Sequence, residues 1–209
     1  ERLVDELTAY AFKREPVNKG LGSADVATIR MLSVLGAQDP DATRVAALLS
    51  GEVDVIEPVP TQDIPRVDSS PNAQVLKGEE IRTIFLGMDQ ARDELLFSNV
   101  KGKNPFKDVR VREAFFRAID VELIKTRVMR GMSRPSALMI SPLLYKLSGD
   151  FTRPKFDPDA AKKLLTEAGH PNGFETTLFY YEYFPQMSSE VQLVQQDLKK
   201  HLNIELKIT

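Results

Sequence analysis

Apolar residues recur every three or four positions in several segments of the chain, a spacing that predicts amphipathic helices. Most of these helices are expected to begin at an aspartate, because a carboxylate accepts hydrogen bonds from the free N–H groups of the first turn. Proline in the first turn and glycine after the last turn support the assignments. The predicted helices begin at Asp39, Asp108, Asp120 and Asp157, the predicted ends are Gly51, Gly131 and Gly169, and a last helix buries Val191, Val194, Leu198 and Leu202.

Runs of apolar or alternating residues between the helices predict β-strands. A strand on each side of the first helix produces the strand–helix–strand order that is typical of a parallel sheet. The expected fold class is therefore α/β. The predicted strands cover residues 28–35, 53–59, 73–76, 81–88, 176–181 and 204–208, and the first 27 residues favour at most a short helix lined by Leu3, Val4, Leu7 and Phe12.

The character of the chain changes between residues 77 and 90. The part before this region is a strand–helix–strand unit followed by a proline-rich passage, and the part after it is rich in helices. An extended segment that joins two sheets is a suitable place for a hinge. We therefore expect a boundary between residues 77 and 90.

Composition excludes several classes of function. The 209 residues include 28 Lys and Arg against 30 Asp and Glu, so no field of a single sign attracts nucleic acid or an anionic membrane. The chain has no cysteine, which excludes disulfides, thiolate catalysis and cysteine-ligated metals. No segment reaches the ~18 consecutive apolar residues expected of a membrane-spanning helix.

The two histidines, His170 and His201, provide little material for a metal site or a catalytic triad. His170 stands between Gly169 and Gly173, which predicts a surface loop. His201 is near a helix C-terminus, where a positive charge is mildly favoured. No catalytic constellation can be assembled from the remaining residues, so we expect no enzymatic activity, no metal and no cofactor.

Three segments carry a family resemblance. Residues 46–55 read AALLSGEVDV, residues 106–120 read FKDVRVREAFFRAID, and residues 156–174 read FDPDAAKKLLTEAGHPNGF. Each resembles a stretch that is typical of the family 5 extracellular solute-binding proteins, with Glu113 in place of the usual glutamine and His170 in place of the usual tyrosine. The chain resembles that family from about residue 40 to its last residue.

The resemblance implies a type II periplasmic-binding-protein-like fold, in which two lobes close on a ligand about a hinge. Members of the family are much longer than 209 residues, so the chain is expected to be an internal fragment. Residues 1–79 would then belong to the first lobe, residues 80–90 would form the crossover strand, and residues 91–209 would form the first half of the second lobe.

The implied function is that of the substrate-binding component of a bacterial ABC importer. Such a protein captures dipeptides or oligopeptides in the cleft between its lobes and delivers them to the permease subunits. The resemblance leaves open a nickel, metallophore or other small-solute binding protein, and also a sensor that presents its ligand to a receptor. It implies a periplasmic or other extracytoplasmic location, with or without a lipid anchor, and no membrane insertion of this segment.

The resemblance also suggests where a ligand would bind. One candidate segment follows Phe85 and Leu86, where the family carries its crossover strand along the floor of the cleft. The other is the loop from Gly131 to Pro142, which matches a family segment near the mouth of the cleft. The candidate ligand-binding residues are Gly87, Met88, Asp89, Ser136, Met139 and Ser141.

Two further features admit both a structural and a functional interpretation. The charged run Asp108–Arg112 is expected to cap a helix and to form ion pairs rather than to touch a ligand. An aromatic cluster near the last helix either completes the core or packs against peptide side chains. This cluster consists of Tyr180, Tyr181, Tyr183 and Phe184.

Overall fold

A computed structural model describes residues 2–13, 31–32, 40–145, 150–182 and 186–209. The chain forms two compact units, one of residues 7–80 and one of residues 1–6 with residues 81–209, which we call the N-proximal and C-proximal units. None of the helices in the described ranges combines the length and the apolar character that a membrane crossing requires.

The N-proximal unit contains a strand–helix–strand arrangement, as predicted. Its second and third strands pair in parallel, with Met31 opposite Val55 and Leu32 opposite Ile56, and the first strand pairs antiparallel with the third. The rest of the strand predicted at 28–35, and Asp39, lie outside the described residues. The elements that contribute to this unit are β1 (Arg2–Lys13), β2 (Met31–Leu32), α1 (Pro40–Ser50), β3 (Val55–Ile56), α2 (Ile64–Asp68) and β4 (Ala73–Phe85).

The end of α1 and the core beside it follow the sequence pattern. Gly51 has a φ of 78°, the left-handed conformation that ends many helices and that glycine adopts without steric cost. Val45 and Leu48 of α1 are buried together with Ile56 of β3. Arg44 is also buried, and its guanidinium Nη1 donates to the backbone oxygen of Glu57 at 3.0 Å.

One helix prediction and one strand prediction were wrong. Residues 2–13 form the strand β1 rather than a short helix, because pairing with β3 and β5 supplies backbone hydrogen bonds that local spacing does not reveal. Residues 73–85 form one strand rather than two, because the polar residues in the middle of β4 face solvent while its backbone remains paired with β1. The predicted strand at 53–59 is reduced to Val55–Ile56.

The C-proximal unit is built mostly from helices, and its aspartate caps are confirmed. The Asp108, Asp120 and Asp157 side chains accept from the backbone N–H groups of Arg110, Leu123 and Ala160 at 2.8, 3.0 and 3.0 Å. It contains a 3-10 helix (Pro105–Lys107), and its α-helices and later strands are α3 (Val109–Ala118), α4 (Val121–Leu123), β5 (Ser133–Arg134), α5 (Pro158–Glu167), β6 (Glu175–Leu178), α6 (Met187–Leu202) and β7 (Glu205–Ile208).

The helix predicted from Asp120 to Gly131 changes its form after one turn. It begins as α4 and continues from Ile124 to Val128 as a π-helix. The hydroxyl of Thr126 donates to the backbone oxygens of Glu122 and Leu123 at 2.8 and 3.3 Å. A hydroxyl that bonds to backbone acceptors in this way competes with the regular helical hydrogen bonds.

The core of the C-proximal unit centres on three phenylalanines. Phe106 and Phe115 meet edge to face at 5.3 Å between ring centroids, and Phe174 lies 6.0 Å from each of them. His170 is only 8% exposed and contacts Phe174 edge to face at 5.1 Å. The prediction of a surface loop at His170 was therefore wrong, because the imidazole packs on an aromatic ring, and its burial lowers its pKa.

A two-stranded parallel sheet completes this unit, with Glu175 opposite Glu205 and Leu178 opposite Ile208. At the outer edge of β6, the Asn99 side chain accepts from Glu175 N at 2.8 Å, and Ser98 Oγ donates to Glu175 O at 2.6 Å. At the outer edge of β7, Gln195 Nε2 donates to Leu206 O at 2.6 Å. Side chains thus form hydrogen bonds with the outward-facing backbone groups of β6 and β7 that a neighbouring strand could otherwise have used.

Candidate ligand-binding site

The segment after β4 borders an apolar depression. Gly87 is exposed and Met88 is half-buried, and both line this depression in the C-proximal unit. The depression is open to solvent and has a cavity volume of about 50 Å³. Other residues that line it are Leu86, Thr176, Thr177 and Leu178, with Phe106, Phe115, Leu198 and Leu206 from the core. Two of the six predicted residues therefore share one concave surface.

The backbone of this segment is also accessible for binding. Residues 86–90 belong to neither a helix nor a strand. In the described part of the chain, no hydrogen bond reaches the peptide groups of Gly87 or Met88. The missing side chain of Gly87 leaves its peptide group uncovered, so the segment offers donors and acceptors beside an apolar surface.

Asp89 has a local structural role. Its carboxylate accepts from the backbone N–H groups of Ala91 and Arg92 at 3.0 and 3.2 Å and forms an ion pair with the Arg92 guanidinium. The hydrogen bond from Arg92 lowers the pKa of Asp89, so the carboxylate stays charged at neutral pH. Asn104 Nδ2 donates to the backbone oxygens of Asp89 and Arg92 at 2.9 and 3.0 Å, which fixes the turn from a second side.

The other three predicted residues lie in a loop that we call the 135–145 loop. Ser136 and Ser141 are buried, and their hydroxyls serve the backbone of the loop itself. Ser136 Oγ donates to Leu138 O at 2.6 Å, and Ser141 Oγ accepts from Leu143 N at 3.3 Å. Met139 is 46% exposed, so its thioether side chain is the part of this group that is presented to solvent.

The two groups of predicted residues are connected indirectly. None of the hydrogen bonds among the described residues joins Gly87, Met88 or Asp89 to Ser136, Met139 or Ser141. The connection runs through Thr83 of β4, whose hydroxyl donates to Met139 O at 3.1 Å. Thr83 precedes Gly87 by four residues, so the 135–145 loop is attached to the strand that leads into the depression.

Arg153 anchors the 135–145 loop from another direction. Its Nη1 donates to Ser136 O at 3.4 Å, and its Nη2 donates to Phe116 O at 3.3 Å. The guanidinium carbon lies 3.7 Å from the centroid of the Phe116 ring, a cation–π contact. Burial lowers the pKa of Arg153 to about 10, so the group remains charged at neutral pH. Sequence reasoning missed Thr83 and Arg153, because no local pattern identifies their distant partners.

The charged run at the start of α3 is structural, as expected. The Asp108 carboxylate pairs with the Arg110 guanidinium at 2.6 Å, and Arg110 Nη1 donates to the backbone oxygen of Glu167 at 2.9 Å. Arg112 Nη1 donates to Phe106 O at 2.7 Å. These contacts tie α3 to α5 and to the chain before it.

The aromatic cluster is only partly described. Tyr181 is 83% exposed, whereas Tyr183 and Phe184 lie outside the described residues. Phe179, which precedes the cluster, meets Phe97 edge to face at 5.3 Å. In the described ranges, no group of three or more His, Cys, Asp or Glu side chains is arranged to hold a metal ion.

Comparison with known proteins identifies the family. Residues 11–209 match the model of the bacterial extracellular solute-binding proteins, family 5 Middle. The chain belongs to this family. The solved structures that resemble it are type II periplasmic binding proteins, which confirms the expected fold class.

Two curated relatives and one solved structure place the chain within the family. Heme-binding protein A of Haemophilus influenzae is 30% identical over 66% of this chain and 23% of its own length. Glutathione-binding protein GsiB of Escherichia coli K12 is 28% identical over 80% of this chain and 30% of its own length. A dipeptide binding protein from Pseudoalteromonas sp. SM9913, in complex with Met-Leu, is 25% identical with a TM-score of 0.52, and covers 81% of this chain and 32% of its own. The chain thus spans a quarter to a third of the proteins that it matches.

Proposed function

We propose that this family 5 protein is the substrate-binding component of a bacterial ABC importer, and that it captures dipeptides or oligopeptides. The observation that carries the proposal is the depression beside Gly87 and Met88. An exposed peptide segment there offers hydrogen bonds to the main chain of a ligand, and the apolar surface receives a side chain. Binding sites of this kind combine an apolar lining with a few polar groups that fix orientation.

The peptide class is supported by two similar proteins. One is described as binding glutathione, which is itself a peptide, and the other was solved with the Met-Leu dipeptide. An extended peptide pairs with a protein backbone through hydrogen bonds that do not depend on its sequence, and pockets for its side chains set the preference. The candidate site offers both components, and neither requires a metal or a cofactor.

We further propose that ligand capture is followed by closure about residues 80–90 and by docking on permease subunits, without covalent chemistry. The location would be periplasmic or otherwise extracytoplasmic. In this proposal Asp89 and the 135–145 loop shape the site, while Gly87, Met88 and Met139 touch the ligand. A closed state would form because the ligand binds it more tightly than the open state.

Native mass spectrometry of the protein, purified from its bacterial host without denaturation, tests the proposal. The expected result is a set of small peptide masses released on activation, together with a rise in melting temperature when the emptied protein receives Met-Leu. A single mass of a heme, or of a nickel complex, would overturn the peptide assignment and retain a solute-binding role. Hydrolysis of the added dipeptide would overturn the view that no chemistry occurs.

A further inference from the structure

The 135–145 loop is held by side chains that lie outside it. It contains neither helix nor strand, and its internal hydrogen bonds include those made by the hydroxyls of Ser136 and Ser141. Contacts from Thr83 and Arg153 fix it to the rest of the C-proximal unit. Thr83 Oγ1 holds the carbonyl of Met139 from β4, and Arg153 Nη1 holds the carbonyl of Ser136. The two held carbonyls are three residues apart in the chain.

The Arg153 contact has a defined direction for a physical reason. A guanidinium is planar, and stacking on an aromatic ring leaves its N–H groups pointing outward in a fixed plane. The Arg153 group lies over the Phe116 ring and donates to the carbonyl of Phe116 as well as to that of Ser136. One side chain therefore connects α3 to the start of the 135–145 loop.

The Thr83 contact is of a different kind. Thr83 lies on β4, and the Met139 carbonyl that it holds is 56 residues away along the chain. Beyond this carbonyl, the side chains of Met139 and Ile140 are 46% and 50% exposed. The backbone of the segment is thus anchored while its apolar side chains remain available, an arrangement that removes much of the entropy cost of ordering a loop on binding.

We propose that Thr83 and Arg153 are positioning residues, which hold residues 136–141 in the conformation that receives the solute. This inference rests on the proposed function. Neither residue needs to touch the ligand. Thr83 has a second consequence, because β4 continues into Gly87 and Met88. The Thr83 hydroxyl attaches the 135–145 loop to β4, the same strand that leads into the depression.

Substitution of Thr83 tests the inference. Thr83→Val removes the hydroxyl and keeps the shape, while Thr83→Ser keeps the hydroxyl. In hydrogen–deuterium exchange of the ligand-free protein, we expect faster exchange across residues 136–141 in T83V and restored protection in T83S. Thr166→Val is a matched control, since the hydroxyl of Thr166 donates to Lys162 O within α5, and it should leave this segment unchanged.

Affinity for the Met-Leu dipeptide supplies the second readout. T83V should bind it about 3- to 10-fold more weakly, the range that the loss of one hydrogen bond produces, while T83S and T166V should bind as the unsubstituted protein does. Arg153→Lys, which keeps the charge and loses the planar fork, should show the same pair of effects. Melting temperatures check that each variant folds.

The outcomes separate this inference from the proposed function. Unchanged exchange across residues 136–141 in both T83V and R153K would overturn the role of the two side chains. Faster exchange with unchanged affinity for Met-Leu would show that the loop is held but does not serve binding, which also overturns the inference. If the unsubstituted protein does not bind Met-Leu, the peptide proposal fails, and the exchange data still decide whether Thr83 and Arg153 hold the loop.

Discussion

The carboxylate of Asp197 on α6 accepts a hydrogen bond from the backbone N–H of Asp120 at 2.9 Å. Asp120 in turn caps α4 through Leu123 N, so a buried acid of the last helix supports the start of a helix 77 residues earlier. Asp197 is 8% exposed, and this burial raises its pKa, although the hydrogen bond and the nearby His201 oppose the effect. The acid therefore stabilises the structure through its geometry more than through its charge.

The difference in free energy of unfolding between Asp197→Asn and the unsubstituted protein should shift in favour of the variant as pH rises from about 4 to about 7. A raised pKa means that the folded state favours the protonated acid, so ionisation of Asp197 costs stability as pH rises through its folded pKa. The amide oxygen of asparagine can still accept from Asp120 N–H without this cost. Urea unfolding of both proteins at the two pH values measures the difference, and a difference that does not change with pH would contradict the assignment.

Asp197→Ala separates the hydrogen bond from the charge. This variant leaves the Asp120 N–H without its acceptor, so its free energy of unfolding should fall by about 1–3 kcal/mol at both pH values. The same unfolding series provides the measurement. A loss confined to the higher pH would mean that the charge of Asp197, rather than its hydrogen bond, supports α4.

Asp108→Ala should lower the free energy of unfolding by about 1 kcal/mol at neutral pH, because it removes the cap of α3. The hydrogen bond from Arg110 lowers the pKa of Asp108, so its contribution is present above the unfolded pKa and is lost as pH falls through the folded one. The deficit of the variant should therefore shrink in acid. Asp159→Ala, an exposed acid in the first turn of α5 that is not the cap, should change stability by less than about 0.5 kcal/mol.

Gly173→Ala should destabilise the protein far more than Gly102→Ala. The two glycines have φ values of 72° and 70°, so each substitution carries the same backbone strain. A Cβ at Gly173 would also collide with the backbone oxygen of Asn203, whereas a Cβ at Gly102 would meet nothing within 4 Å. Denaturant midpoints should show a loss of about 1 kcal/mol for G102A and about 3 kcal/mol or more for G173A. Equal losses would refute the close approach at Asn203.

Gly87→Val should weaken binding of Met-Leu about tenfold without changing the melting temperature. A Cβ at Gly87 would have only ordinary contact with the Phe85 ring at 3.8 Å, so the fold accepts it, but the added methyl groups would cover the peptide segment beside the depression. Gly78→Val on β4 is the matched control, since a Cβ there meets nothing within 4 Å. Isothermal titration calorimetry measures the affinity of both variants for Met-Leu. Equal affinities in the two variants would show that Gly87 is not part of the binding site.

Local chemistry made several helices predictable. The caps at Asp108, Asp120 and Asp157 depend on residues two or three positions apart, and the structure confirms all three. The buried face of α3 also follows its sequence spacing. By contrast, β1 is a strand because it pairs with β3, β4 and β5, whose positions are not visible in its own 12 residues.

The candidate site was accessible to sequence reasoning only through family resemblance. That resemblance directed attention to Gly87 and Met88, which line the depression, and to the loop that contains Met139. The contacts that hold the loop were not predictable, because Thr83 and Met139 are 56 residues apart and Arg153 stacks on Phe116 from a different element. The burial of His170 was missed for the same reason, since its partner Phe174 reaches it through the packing of the core.

The side chains at the edges of the small parallel sheet also affect how copies of this protein behave in solution. An exposed strand edge is a template on which a second molecule can add a strand, and repeated addition leads to aggregation. Gln195 occupies the carbonyl of Leu206 on β7, and Asn99 with Ser98 occupies the backbone of Glu175 on β6. Three polar side chains thereby occupy backbone groups at which a second molecule would otherwise add a strand.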